Sequence, residues 1–203
     1  HERRLTERLR VTSINYRSLF LYKASLRASY RHRYRERYLT VSRLIPEGAS
    51  VVDYCCGDAE LYMSHLRHRN VEYLGLDFNE GFVSALRARG VPCRAANMLA
   101  EEPVTAEYSV MMGSLYQFFP RHKALVDKVL SSTSRFIISE PLKNHAGSRH
   151  WLVRKLADAL NDPGDGVKKN RFTPASFGAF LAAYEPRIVT YVPGEVDTVV
   201  VLR

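Results

Sequence analysis

Between positions 19 and 38 the apolar residues fall at helical spacing. Leu19, Tyr22, Leu26, Tyr30, Tyr34 and Tyr38 are three or four apart, which puts them on one face of a helix. Arg27, Arg31, Arg33, Arg35 and Arg37 lie between them, so the expected helix carries an aromatic stripe and a cationic remainder. No Pro or Gly occurs before Pro46, and residues 4–45 read as helical, with Ser13-Ile14-Asn15 as a candidate break. Pro46-Glu47-Gly48 closes the segment with turn residues. The expected division is a basic helical extension over residues 1–46 and a second domain over residues 47–203.

Beyond residue 50 the pattern changes to short apolar runs separated by helical stretches. Residues 51–54, 71–78, 92–96, 107–112 and 135–139 read as strands. Residues 58–68 read as a helix capped by Asp58, and Asn79 is placed to cap the next, which ends at Arg89-Gly90. Residues 120–131 give a further helix. Strands alternating with helices imply right-handed βαβ units and a parallel sheet. Residues 150–160 then read as a helix, 161–169 as a loop and Thr173-Pro174 as another helix start, running through residue 183. Residues 187–192 and 196–202 read as two strands, joined through Pro193-Gly194-Glu195 as a hairpin.

Composition narrows the class. The chain has 203 residues and is 46% hydrophobic, enough for one α/β domain with a full core and a modest extension. No apolar run approaches the roughly 18 residues of a membrane span. The basic start is followed by no apolar run, so no signal peptide is read there, and the expected location is cytoplasmic. The cysteines, Cys55, Cys56 and Cys93, are odd in number and two are adjacent. They suit neither a disulfide framework nor a zinc site and read as small packing residues in a reducing compartment. The net charge of +9 is confined to one end: residues 1–45 hold 12 Lys or Arg against 3 Asp or Glu, and the remainder holds 18 of each.

The stretch Val51-Val52-Asp53-Tyr54-Cys55-Cys56-Gly57-Asp58-Ala59 joins a strand to a helix through small residues, with an acid at the strand's carboxyl end. Ligands bind at that end of open α/β sheets. Cys55 and Ala59 are small enough to turn tightly with φ expected to stay negative. The second strand also ends in an acid, Asp77, about 20 residues beyond the turn, followed by Phe78. Asn97-Met98 follows the third strand, Met111-Met112-Gly113-Ser114-Leu115-Tyr116-Gln117-Phe118 ends the fourth, and Ile138-Ser139-Glu140-Pro141 ends the fifth.

This ordered set resembles the motifs of the class I (Rossmann-like) S-adenosylmethionine-dependent methyltransferases. Cys55 stands where the family has the first Gly of its loop, Ala59 where it has the last, and Gly57 keeps its place. The resemblance implies an α/β fold with a seven-stranded, mostly parallel sheet, an antiparallel last strand, helices on both faces and an N-terminal helical extension. It implies S-adenosyl-L-methionine as cofactor and S-adenosylhomocysteine as product. In such a site Asp53 receives the cofactor's ammonium, and Cys55 and Gly57 let backbone approach its methionine part. Asp77 takes the ribose hydroxyls, Phe78 stacks on adenine, Asn97 and Met98 border the adenine, and Gly113 lies near the sulfonium. A dinucleotide is the competing ligand, but positions 55–60 lack its Gly-x-Gly-x-x-Gly fingerprint.

Methyl transfer needs alignment and exclusion of water, and needs a base only where the acceptor starts protonated. Tyr116, Glu140 and His145 are the candidate catalytic residues, with His150 more distant. The Asn-Pro-Pro-Tyr pattern of base-methylating relatives is missing at the fourth strand, as are a nucleophilic Cys and the clustered carboxylates of a metal site. No metal is therefore expected. The expected acceptor is a small or lipid-linked molecule, which can be anionic. The basic helix reads as a lid over cofactor and acceptor, as a cationic surface for a phosphate-bearing acceptor or an anionic membrane touched peripherally, as an RNA-binding element, or as a solvated face beside packed tyrosines. Nucleic acid is the weaker of these. The alternatives to a small-molecule enzyme are a non-catalytic methyltransferase-like module that binds an anionic partner through this helix, and an RNA methyltransferase.

Overall fold

The computed structural model of the chain describes residues 22–24, 27, 33–142, 170–194 and 197–203. The expected helix over 150–160 and loop over 161–169 lie outside these residues. Seven strands form one sheet: β1 (Ser50–Tyr54), β2 (Glu72–Asp77), β3 (Cys93–Ala95), β4 (Ala106–Met112), β5 (Thr133–Glu140), β6 (Ile188–Val192) and β7 (Thr198–Leu202). Their order is β3-β2-β1-β4-β5-β7-β6. The first five are parallel, and β7 inserts antiparallel between β5 and β6. This is the doubly wound sheet expected, with its reversed strand. Residue 195, within the expected hairpin turn, lies outside the described residues.

Both faces of the sheet are buried, and the strands show it residue by residue. Val52, Tyr54, Leu76, Met111, Phe136, Ile138, Val200 and Leu202 point to one core. Val51, Tyr73, Val110, Ile137, Val199 and Val201 point to the other. A period of two with apolar residues on both sides is what a sheet covered on both faces requires. The first core is closed by α3 (His122–Leu130) and α4 (Pro174–Ala182), and the second by α1 (Tyr34–Ser42) and α2 (Glu80–Arg87).

Local chemistry sets the helix ends. The Asn79 side chain accepts hydrogen bonds from the backbone N–H groups of Gly81 and Phe82 and so starts α2. Thr173 and Ser176 form a reciprocal capping box ahead of Pro174 at the start of α4. At the end of α1 the Arg69 guanidinium donates to the carbonyls of Ser42 and Ile45, each at 2.6 Å, which satisfies acceptors the helix itself leaves open.

Two expectations are corrected here. The helix expected over 58–68 begins only at residue 60, and Tyr62–Leu66 is π-type, with the Arg67 N–H donating to the Tyr62 carbonyl at 2.8 Å. Asp58 contacts the Glu60 N–H at only 3.4 Å, so it caps weakly. Arg37 does not belong to the cationic remainder. It sits on the face of α1 that holds Tyr34, Tyr38 and Val41, and it is buried with them. Position 37 is one turn from 34, and helical spacing puts it on that face.

Candidate functional site

The loop after β1 supplies the first wall of the site. Cys55, Gly57 and Ala59 have φ of 59°, 57° and 52°, so the expectation of negative φ at Cys55 and Ala59 is overturned. The left-handed turn is kept where a Cβ makes it costly, by about 1 kcal/mol or more at each residue. Hydrogen bonds over-determine it. The Cys56 N–H donates to the Leu76 carbonyl (3.0 Å), the Ala59 N–H to the Cys56 carbonyl (2.8 Å) and the Gly57 N–H to Asp77 Oδ2 (2.9 Å). The Cys56 thiol fits against Gly75 of β2, where an added Cβ would meet Sγ at 2.9 Å. Burial pushes the Cys55 and Cys56 thiols well up, so neither is a ready nucleophile.

Asp77 thus joins the first two motifs. Its Oδ1 also accepts from the Asn79 N–H at 2.8 Å. Burial raises its pKa, and the N–H groups of Asn79 and Gly57 act against that rise. A carboxylate offers about four acceptor positions, so the backbone N–H groups of Asn79, Gly57 and Phe78 do not use all of its capacity. Asp53 is more enclosed. Its Oδ2 accepts from the Tyr73 hydroxyl at 2.9 Å, and burial pushes its pKa up to about 7. Phe78 is 40% exposed at the end of β2, open to stacking. The Asn97 side-chain oxygen accepts from the Leu99 N–H at 3.1 Å. Met98 is packed in the core that holds Leu76 and Tyr54, and with them it borders a cavity of about 10 Å³, room for one water at most.

Residues from the N-terminal segment lie on this loop. A Cβ on Gly57 would come within 3.0 Å of both Cε1 and Oη of Tyr22, and the Tyr22 ring packs on Phe82 with centroids 5.1 Å apart. Lys23 pairs with Glu60 and lies 3.9 Å from Asp58, whose Oδ2 also accepts from Tyr34 Oη at 3.3 Å. Part of the segment's positive charge is therefore spent on buried carboxylates beside the loop.

The carboxyl ends of β4 and β5 form the second wall. Gly113 has φ of 63°, and its N–H donates to the Ser139 carbonyl at 2.6 Å. An added Cβ there would meet Arg37 Nη2 at 3.1 Å. Arg37 donates to Asp197 Oδ2 from Nε (3.0 Å) and Nη2 (2.9 Å), and Ser139 Oγ donates to the same oxygen at 3.0 Å. Ser139 and Asp197 continue the inward alternation of Ile137 and Val199, so this knot lies on the α1 side of the sheet.

Glu140 continues Phe136 and Ile138 and lies on the other side. It is fully buried. Its Oε1 accepts from the Leu115 N–H at 2.6 Å, and Oε2 has no hydrogen-bond partner among the described residues. Burial pushes its pKa up to about 8, against the Leu115 hydrogen bond, and nearby Asp197 adds to the rise. Tyr116 is buried next to it, with the Arg171 guanidinium 5.1 Å from its ring centroid. His145 and His150 lie outside the described residues.

Arg37, Asp197 and Arg171 are absent from the sequence-based site. For Arg37 the signal existed, in its spacing from Tyr34 and Tyr38. Asp197 and Arg171 are brought in by the reversed strand and by the segment ahead of α4, and no local pattern marks either.

The sheet order, the reversed β7 and the ligand-side loops define a class I S-adenosylmethionine-dependent methyltransferase fold. Within that class the chain belongs to the family described as "Methionine biosynthesis protein MetW", whose profile matches residues 35–159. No curated protein sequence matches it. Among solved structures it is similar to an O-methyltransferase family 2 protein from Planctomyces limnophilus in complex with apigenin (14% identity, TM-score 0.59, covering 89% of this chain and 61% of that one). It is similar also to human N-acetylserotonin methyltransferase in complex with SAM (11%, 0.63, 93% and 57%) and to an rRNA methylase from Escherichia coli (15%, 0.56, 89% and 69%). The chain spans about three fifths of the length of the first two. At such identities the likeness is one of fold.

Proposed function

We propose that the protein binds S-adenosyl-L-methionine at the carboxyl ends of β1, β2 and β4 and transfers its methyl group to a small-molecule or lipid-linked acceptor. The observation that carries this is the bond from the Gly57 N–H to Asp77 Oδ2. It holds the left-handed loop and the β2 acid in one rigid unit, as a ligand with an amino-acid end and a ribose demands. In this site Asp53 takes the ammonium, Cys55 and Gly57 face the methionine part, Asp77 the ribose and Phe78 the adenine. Asn97 and Met98 border the adenine, Asn97 through its remaining acceptor capacity and Met98 from beneath. Gly113 lies by the sulfonium. The described residues contain no cluster suited to a metal ion, and none of their helices is long and apolar enough to cross a membrane.

Chemically, the cofactor supplies a carbon already activated for displacement. The chain's residues bind it, align the acceptor and keep water out. Tyr116 and Glu140 stand at the acceptor side, and His145 is a further candidate there. Residues 1–46 act as a lid, with Tyr22 on Gly57 and Lys23 on Glu60 as its contacts.

One observation favours a second reading. The Tyr22 phenol occupies the space directly over Gly57, which suits a module that holds the cofactor, or an anionic partner, without turnover. The family description names methionine biosynthesis, and a cofactor made from methionine is a fitting ligand for such a module. Calorimetric titration with S-adenosylhomocysteine tests the cofactor site. No binding at millimolar ligand would remove both cofactor-dependent readings. Binding that Asp77→Ala abolishes, without loss of biological activity, would leave the non-catalytic one.

A further inference from the structure

Residues 22–24 form a short helical piece that lies over the loop after β1. On the side of Gly57 where a Cβ would point, the Tyr22 ring fills the space, with Cε1 and Oη each 3.0 Å from that position. The same ring packs on Phe82 of α2, centroids 5.1 Å apart. Tyr22 therefore spans the loop after β1 and the helix after β2, at the end of the sheet where ligands bind.

Lys23 holds that piece down. Its ammonium pairs with Glu60 Oε2 and lies 3.9 Å from Asp58 Oδ2. Both acids are buried, and each is fixed from a second side. The Ser64 hydroxyl donates to Glu60 Oε1 at 2.8 Å, and Tyr34 Oη donates to Asp58 Oδ2 at 3.3 Å. Burial raises the Asp58 pKa, Lys23 opposes that rise, and the charge of Glu60 adds to it. Arg27 acts on Glu60 as well, from a position over the Tyr34 ring, 5.6 Å from its centroid. Lifting Lys23 away strips two neighbouring buried carboxylates of the ammonium beside them, and such charges are costly to leave uncompensated. The closed arrangement is therefore the favoured one.

We propose that Lys23 is the latch of a gate: its ion pairs with Glu60 and Asp58 keep Tyr22 on Gly57, and the cofactor enters and leaves when that latch opens. The inference rests on the cofactor-binding reading for what passes the gate, and on the contacts of Tyr22 and Lys23 for the gate itself. A ligand whose amino-acid end lies against Gly57 needs the space beside that residue cleared on entry. Closure then returns the cover and keeps water out. Ligand exchange, not chemistry, is the step that such a latch slows.

The test is the association and dissociation of S-adenosylhomocysteine, followed by surface plasmon resonance on the full chain. Lys23→Met with Glu60→Gln removes the latch without leaving a lone charge at position 60, and is expected to raise both rate constants about tenfold or more. Glu60→Gln alone keeps Lys23 on Asp58 and should raise both by a smaller factor. It decides the matter by itself if the double variant does not fold. Faster dissociation with unchanged association would make Tyr22 and Lys23 a contact of the ligand and no gate. Unchanged rates would make the ion pair a structural staple. Either result overturns the proposal. The latch has a second readout that needs no cofactor. Acetic anhydride, with the products mapped by mass spectrometry, should acylate Lys23 more slowly than Lys123, whose side chain is 57% exposed against 25% for Lys23. Glu60→Gln should narrow that gap, and a gap that stays the same overturns the latch. If no variant binds S-adenosylhomocysteine while the gap narrows, the latch stands and the cofactor reading falls instead.

Discussion

Arg37 gives two N–H groups to a single oxygen of Asp197, 160 residues further along the chain. The pair ties α1 to the start of β7 and presses on Gly113 at the end of β4. Both residues are buried, so their charges are held in a medium where each needs the other.

Removing one partner therefore leaves an uncompensated buried charge. Arg37→Ala or Asp197→Ala is expected to destabilise the fold by about 3–5 kcal/mol, read from urea denaturation midpoints. The double replacement Arg37→Met with Asp197→Leu should cost much less than the sum. Additive losses would mean that the two side chains do not act as a pair.

The loop after β1 makes an unusual prediction for glycine. Replacing Ala by Gly ordinarily destabilises through chain entropy, by roughly 0.4–1 kcal/mol. At Ala59, with φ of 52°, relief of left-handed strain opposes that loss. Ala59→Gly should be neutral or stabilising by up to about 1 kcal/mol. A loss of stability beyond 1 kcal/mol would show that the strain is not there.

Gly57 combines a φ of 57° with the Tyr22 ring 3.0 Å from any Cβ. Gly57→Val is expected to abolish S-adenosylhomocysteine binding while the fold survives, measured by calorimetry alongside circular dichroism. Unchanged affinity would show that the loop does not face the cofactor. Trimming the neighbour as well, in Gly57→Ala with Tyr22→Ala, separates strain from crowding: only crowding is relieved by the second change.

Two buried carboxyls set a pH dependence. Glu140 is raised to about 8 and Asp53 to about 7, in both cases chiefly by burial. Between the unfolded carboxyl pKa of about 4 and these values, the folded chain binds more protons than the unfolded one. Stability from these groups is thus complete below pH ~4 and is lost as pH rises towards 8. Glu60, lowered with the help of Lys23 despite the opposing effect of burial, contributes with the opposite sign at acid pH. Glu140→Gln should flatten the fall between about pH 5 and 8, in denaturation curves taken across that range. An unchanged slope would mean Glu140 is ionised in the folded protein.

Much of the fold was legible in the residues. Alternating βα units, the acids at 53 and 77, Asn79 as a cap and the paired terminal strands follow from periodicity and turn chemistry, which act over a few neighbours. So did the order of the candidate cofactor residues, because each sits at the end of its own strand. The sense of Cys55 and Ala59 was not legible. Their side chains favour negative φ, and it is the hydrogen bonds from the loop to Leu76 and Asp77 that hold them otherwise.

The sequence by itself determined the sheet, the two cores and the strand ends where a ligand can bind, since these depend on which positions are apolar and at what spacing. Only the tertiary structure decided which charges are internal. The spacing of Arg37 from Tyr34 and Tyr38 puts it on the buried face, but only β7 brings Asp197 to it. Glu140 reads as a candidate catalytic acid after β5, and only burial and Leu115 fix one oxygen and leave the other open. Pairing across 160 residues and loss of solvation are properties of the assembled sheet.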